Sequence, residues 1–147
     1  MKISIHVATP HDAAAIADLV SQLGYLASEQ DVATRIASHT SPSYLLLIAK
    51  QEDHPVGYIA IHIYQVLHLP APEGRITSFC VDKKSQGLGI GNDLLQAAEN
   101  FFREKGCYRI VFNSNLKRIS THQYYLNRGY QFTSKHFTKL IENPVAT

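Results

Sequence analysis

Ile3, Ile5 and Val7 alternate with polar residues, the period of a strand with one buried face. Thr9-Pro10-His11-Asp12 then reads as a helix start: Thr9 caps, Pro10 suits the first helical position, and Asp12 reaches back to close a capping box. The spacing of Ile16, Leu19, Val20 and Leu23 predicts one apolar helix face, ending at Gly24. Ser28 to Asp31 repeats the capping pattern and opens a second helix through about Ser38. Tyr44 to Ala49 is an apolar run of strand length. The polar turn 51–55 leads into an alternating segment from Val56 to Val66, so the two are expected to form a hairpin.

A loop from Leu67 to Gly74 carries Pro70 and Pro72, and a strand is predicted from Arg75 to Val81. After a glycine-rich turn, Leu94, Ala98, Phe101 and Phe102 mark one face of a helix from about Gly89 to Lys105, stopped by Gly106. Tyr108 to Phe112 is the next strand and Asn113 to Arg118 a polar loop. Ser120 to Gln123 is expected to cap a short helix ending at Gly129, and Tyr130 to Leu140 to form the last strand, before a frayed tail. The order β-α-α-β-β-β-α-β-α-β predicts an α/β (α+β) domain. Its central sheet is mixed and mostly antiparallel, of about six strands, with helices on its faces.

The 147 residues suit one domain, 1–147, long enough to bury a core without metal or disulfide staples. A formal net charge of +2 is too small to imply nucleic-acid binding through bulk charge. Cys80 and Cys107 stand far apart and are expected to be buried free thiols, which fits a reducing cytoplasm. The N-terminus carries a strand pattern rather than a leader, and no apolar run reaches membrane-spanning length, so a cytoplasmic protein without membrane contact is expected. His62 and His68 lack the close spacing of a zinc site and the cysteines form no Cys-x-x-Cys, so no metal is expected.

Chemistry concentrates in Gln86-Gly87-Leu88-Gly89-Ile90-Gly91, between a strand and a helix. The first N–H groups of a helix have no internal partner, and the helix dipole places partial positive charge there. Glycines let that backbone approach an anion, so the turn suits a phosphate or pyrophosphate; a glycine-rich turn without a ligand is the plain alternative. A P-loop would need a lysine that is absent, and the dinucleotide fingerprint Gly-x-Gly-x-x-Gly has another spacing.

Gln86-x-x-Gly89-x-Gly91 resembles the Gln/Arg-x-x-Gly-x-Gly/Ala signature of the GCN5-related N-acetyltransferases, the GNAT family. Phe79-Cys80-Val81 stands where that family has the strand before the motif, and Asp93-Leu94-Leu95 continues into its helix. Tyr124-Tyr125-Leu126-Asn127-Arg128-Gly129-Tyr130 is similar to its aromatic-Tyr-x-x-x-Gly-Phe/Tyr segment. Residues 5–9 with Asp12 resemble its opening strand and helix, and Ile48-Ala49 with Val56-Gly57-Tyr58-Ile59 its central hairpin. The likeness covers nearly the whole chain in the family's order.

That resemblance implies a GNAT-like acyl-CoA N-acyltransferase fold, with acetyl-CoA as acyl donor between two splayed strands. Backbone groups of Cys80 and Val81 would bind the pantetheine arm. The N–H groups of Gly87, Leu88, Gly89, Ile90 and Gly91, with Gln86 and Asn92, would hold the pyrophosphate. A backbone N–H near Cys80 would polarise the thioester carbonyl. Tyr125 matches the tyrosine that protonates the leaving sulfur; a packing tyrosine on an amphipathic helix is the alternative.

Arg118 and Thr121 stand where the family often has Asn and Ala, although one branch has an Arg-x-x-x-His run resembling Arg118 to His122. Arg118 either reaches a CoA phosphate or is simply solvated. The general base is not legible: Glu73 lies just before the predicted strand, and His62 and His68 lie nearby. Tyr58, Tyr64, Phe79 and Tyr130 either line an acceptor pocket or belong to the core. The expected acceptor is a primary amine on a small molecule. A protein or peptide amine, an aminoglycoside, a non-catalytic acyl-CoA-binding regulatory module and a nucleotide-binding domain are the alternatives. The resemblance also implies a homodimer.

Overall fold

The computed structural model describes residues 2–39, 41–113, 119–133 and 136–141, without the side chains of 119–122. Strand β1 (Ile3–Val7) is followed by a 3-10 turn at Pro10–Asp12 and helices α1 (Ala13–Gln22) and α2 (Glu29–Ser38). Strands β2 (Tyr44–Gln51), β3 (His54–Tyr64) and β4 (Glu73–Val81) come next, then α3 (Ile90–Glu104), β5 (Arg109–Val111) and α4 (Ile119–Asn127). The strands lie in the order β1-β2-β3-β4-β5; the first three pairings are antiparallel and β4 runs parallel to β5.

Capping sets the helix starts. Thr9 N–H donates to the Asp12 carboxylate at 2.9 Å, and Ser28 and Asp31 exchange bonds of 3.0 and 3.2 Å. The β2–β3 hairpin turns on Glu52 and Asp53, both at positive φ, the geometry of a two-residue turn between twisted strands. β1 is an edge strand, and Val7 is 63% exposed rather than turned inward.

The sheet is covered on both faces. Ile16, Leu19, Val32 and Ile36 of α1 and α2 pack on Leu46, Ile48, Tyr58, Ala60 and Cys80. On the opposite face α3 buries Ile90, Leu94, Leu95, Ala98 and Phe102 completely. Gly74 is where β4 passes beneath the Phe102 ring: a Cβ there would lie 2.4 Å from that ring.

Residues Met1–Phe112 form one compact unit and Asn113–Thr147 a second. The sheet has five strands among the described residues, not six. The expected strand over 130–140 is not formed in 130–133 or 136–141. Its alternating pattern has no ladder partner there, and Phe132, Phe137 and Leu140 are exposed. Helix α4 begins at Ile119, so Ser120 lies inside it rather than capping it.

Candidate active site

β4 organises the site. Ala60 faces Ser78 while the next residue, Ile61, faces Ile76, so Thr77 is an extra residue bulged out of the ladder. Its hydroxyl donates to the Ala60 carbonyl at 3.1 Å. On the other side β4 pairs with β5 only at Glu73–Arg109, Gly74–Ile110 and Arg75–Val111. Alternate residues of an antiparallel strand direct their polar backbone groups to opposite sides. From Ile76 to Val81 those aimed toward β5 meet no strand among the described residues.

The closed end of this opening is held by charge. Glu73 is 5% exposed; it accepts from Arg109 Nε at 2.6 Å and from the Tyr64 hydroxyl. Arg75 Nε in turn donates to the Tyr64 oxygen at 3.0 Å. Burial pushes the Glu73 carboxyl up, but the bonds from Tyr64 and Arg109 and the charges of Arg109 and Arg75 outweigh it and hold the group below its ordinary 4.5. Burial and the bond to Glu73 push the Tyr64 hydroxyl up. The strand therefore does supply a carboxylate: β4 starts at Glu73 because that residue pairs with both Tyr64 and Arg109. With both oxygens engaged and its proton affinity lowered, Glu73 is a poor general base.

Farther along the same face, Tyr58 of β3 is buried and shares a 2.6 Å bond with the Ser78 hydroxyl of β4; burial pushes the Tyr58 hydroxyl up to about 12. Cys80 turns its Sγ into the core, 3.3 Å from the Leu19 carbonyl, so only its backbone faces the strand edge. Neither cysteine is in a disulfide; Cys80 is buried and Cys107 half-buried.

Past Val81 the chain is pinned before it reaches the glycines. Asp82 N–H donates to Val56 O at 2.8 Å, and Asp82 Oδ1 accepts from Lys84 N–H at 3.2 Å. Gln22, at the end of α1, donates to Asp82 Oδ1 at 3.3 Å and accepts from Lys83 N–H at 3.0 Å. Gly87 and Gly89 have φ of +86° and +83°, which side chains rarely adopt, and the space outside each is open. Gln86 and Leu88 are exposed, whereas the Ile90 side chain is buried and anchors the helix start. The first N–H bonded within α3 is that of Asp93, to Gly89 O at 3.0 Å. Those of Ile90, Gly91 and Asn92 precede it, at the positive end of the helix dipole. The turn therefore fits an anion at the end of the open β4 edge.

In the second unit, Tyr125 lies on α4, half-buried. Its ring meets the edges of Tyr124 and Tyr130 at centroid distances of 5.4 and 6.0 Å. The helix ends in a Schellman motif: Tyr130 N–H bonds to Tyr125 O at 3.1 Å and Gly129 N–H to Leu126 O at 3.1 Å, with Gly129 at φ +92°. Arg118 lies outside the described residues, as does the His122 side chain.

His68 is exposed in the β3–β4 loop, and His62 is half-buried with its ring stacked on Tyr44 at 4.1 Å. Nothing local marks Gln22 or Arg109 as site residues, since their partners Asp82, Lys83 and Glu73 are distant in sequence; Arg75 carries one local signal, its position two residues after Glu73 on the same strand face. Among the described residues, no group of three or more His, Cys, Asp or Glu is placed to hold a metal, and no helix is long and apolar enough to cross a membrane.

The sequence model of the family described as acetyltransferase (GNAT) family matches residues 11–130. The chain belongs to the GNAT family. By that membership it is an acetyl-CoA-dependent N-acetyltransferase. It is 29% identical over 123 residues to an aminoalkylphosphonate N-acetyltransferase of Salmonella typhimurium, covering 84% of this chain and 78% of the relative. It is 26% identical over 137 residues to an aminoglycoside N(6')-acetyltransferase type 1 of Stenotrophomonas maltophilia, covering 90% and 88%. A GNAT family acetyltransferase structure from Staphylococcus aureus shares the fold, with a TM-score of 0.80, 24% identity and coverage of 96% of this chain and 100% of that one.

Proposed function

We propose that this GNAT enzyme transfers the acetyl group of acetyl-CoA directly to a primary amine of a small molecule. The observation that carries this reading is the β4 edge that meets no strand after Arg75 among the described residues and runs straight into the glycine turn at the start of α3. The two curated relatives, named for small amine acceptors, support the acceptor class.

Acetyl-CoA supplies the activated thioester. In this proposal backbone groups of Cys80 and Val81 hold the pantetheine arm, and the N–H groups of residues 87–91, with Gln86 and Asn92, hold the pyrophosphate. Backbone N–H groups beside the Thr77 bulge stabilise charge on the carbonyl oxygen. As the amine nitrogen bonds to the carbonyl carbon and the carbon–sulfur bond breaks, the Tyr125 hydroxyl gives its proton to the sulfur and regains one from solvent. The proton that the amine loses passes to solvent or to His62, half-buried on β3 and stacked on Tyr44. Residues 1–147 act as one catalytic domain, a reading supported by a family match that starts at residue 11 in the first compact unit and ends at residue 130 in the second.

Multiple-turnover release of CoA with a panel of primary amines, with the N-acetyl product identified by mass, tests this reading. Turnover with small amines supports it. Turnover with peptides alone moves the acceptor class to proteins. Binding of acetyl-CoA without turnover on any amine makes the chain a non-catalytic acyl-CoA-binding module.

A further inference from the structure

Tyr44, His62 and Arg75 stand side by side across β2, β3 and β4, with Tyr64 and Glu73 as the next pair along the same face. By strand alternation this is the face that α1 and α2 cover farther along, over Ile48, Tyr58 and Cys80. The strip thus continues the covered face toward the closed end of the β4 opening. Its rings are fixed: Tyr44 and His62 stack at 4.1 Å and 7°, and Tyr64 lies 5.2 Å from His62.

The strip's one carboxylate is spent, because Glu73 accepts from both Arg109 and Tyr64. Two guanidinium groups, Arg75 and Arg109, stand against it, which leaves one positive charge. Arg75 is tethered only through Nε, to the Tyr64 oxygen; its terminal Nη groups have no hydrogen bond or ion pair among the described residues. A guanidinium oriented through Nε and open at its fork suits bidentate binding of a carboxylate, phosphate or phosphonate. Arg75 is also one residue before the stretch of β4 that meets no strand among the described residues, and three before Ser78, about 7–10 Å at strand rise.

We infer that Arg75 is the specificity-determining residue of the acceptor site, and that the acceptor is a short amine carrying an oxyanion, which the Arg75 fork binds while the amine points toward the Thr77 bulge. The inference rests on the acetyltransferase reading above. It selects against polycationic acceptors, for which the strip offers no uncommitted carboxylate.

The test compares the full-length wild type with Arg75→Gln and Arg75→Lys on 2-aminoethylphosphonate, β-alanine, ethanolamine and kanamycin. The expected result is that wild type prefers the two anionic amines. Arg75→Gln should raise their KM by roughly 10- to 100-fold, the loss expected for a hydrogen-bonded charge contact, with KM for acetyl-CoA and for ethanolamine unchanged. Arg75→Lys should fall between, since it keeps the charge but not the fork. A larger effect with phosphonate than with carboxylate supports a tetrahedral oxyanion, the reverse a planar one. Methylphosphonate should inhibit wild type competitively against the amine and not against acetyl-CoA, a readout that needs no variant. Preference for ethanolamine or kanamycin, an unchanged anionic-amine KM in folded Arg75→Gln, or absence of that competition overturns the inference while leaving the acetyltransferase reading intact. No turnover with any of the four amines overturns the small-amine reading and this inference together.

Discussion

Arg109 Nε meets Glu73 Oε1 at 2.6 Å, at the first of the three residue pairs that join β4 to β5. Beyond those pairs the two strands no longer pair, so this contact clasps the closed end of the opening. Arg109→Ala leaves a buried carboxylate short of a donor and should cost about 1–3 kcal/mol, measurable by urea denaturation at neutral pH. The pH dependence has a defined sign. The folded Glu73 carboxyl sits below its ordinary 4.5, so its stabilisation is present above that value and is lost as pH falls through the folded value. The stability difference between wild type and Glu73→Gln should therefore shrink as the medium is acidified; a difference constant with pH contradicts the clasp.

Two glycines should respond oppositely to alanine. A Cβ at Gly74 would sit 2.4 Å from the Phe102 ring, so Gly74→Ala should destabilise by about 1–3 kcal/mol through overpacking. At Gly91 the nearest atoms, in Val81 and Phe79, are 3.5 and 3.7 Å away, so Gly91→Ala should be accepted. Thermal melts of the two variants check both, and equal melting temperatures contradict the packing described.

Much of this architecture is legible in the chain. Period-2 alternation marks β1 and β3, an apolar run marks β2, period-3.6 faces mark α1 and α3, and the boxes at Thr9–Asp12 and Ser28–Asp31 place two helix starts. The glycine turn is legible as a candidate anion site because positive φ before a helix start calls for Gly87 and Gly89. What is hidden depends on partners distant in sequence. The Thr77 bulge is a matter of register between β3 and β4, which neither strand carries alone. Glu73 looks like loop until Arg109, 36 residues away, and Tyr64 are seen to hold it in β4. Alternation after Tyr130 suggests a sixth strand, but alternation without a neighbouring strand makes no ladder.

Gln22 bridges Asp82 and Lys83 across 60 and 61 residues, tying the end of α1 to the start of the glycine turn. Gln22→Ala should loosen that turn and weaken acetyl-CoA binding by roughly 2- to 10-fold, about the value of one ordinary hydrogen bond, with kcat little altered. Calorimetric titration separates this from a kcat effect; unchanged affinity removes Gln22 from the support of the turn.

Tyr125→Phe keeps the ring packing against Tyr124 and Tyr130 and deletes only the hydroxyl. If that hydroxyl protonates the leaving sulfur, kcat should fall by about 10²-fold or more, while acetyl-CoA affinity stays the same. Full turnover in the variant would assign Tyr125 to packing alone.

The most direct test of the account is a thermal-shift titration of cofactor-free protein with acetyl-CoA and CoA beside ATP and NAD. A ligand that binds only the folded state adds RT ln(1 + [L]/Kd), about 2.7 kcal/mol at a hundredfold excess over Kd. The account predicts a clear upward shift with acetyl-CoA and CoA, a weaker one with ATP and none with NAD. No shift with acetyl-CoA on folded protein would contradict it, because the open β4 edge and the glycine turn would then serve no acyl-CoA.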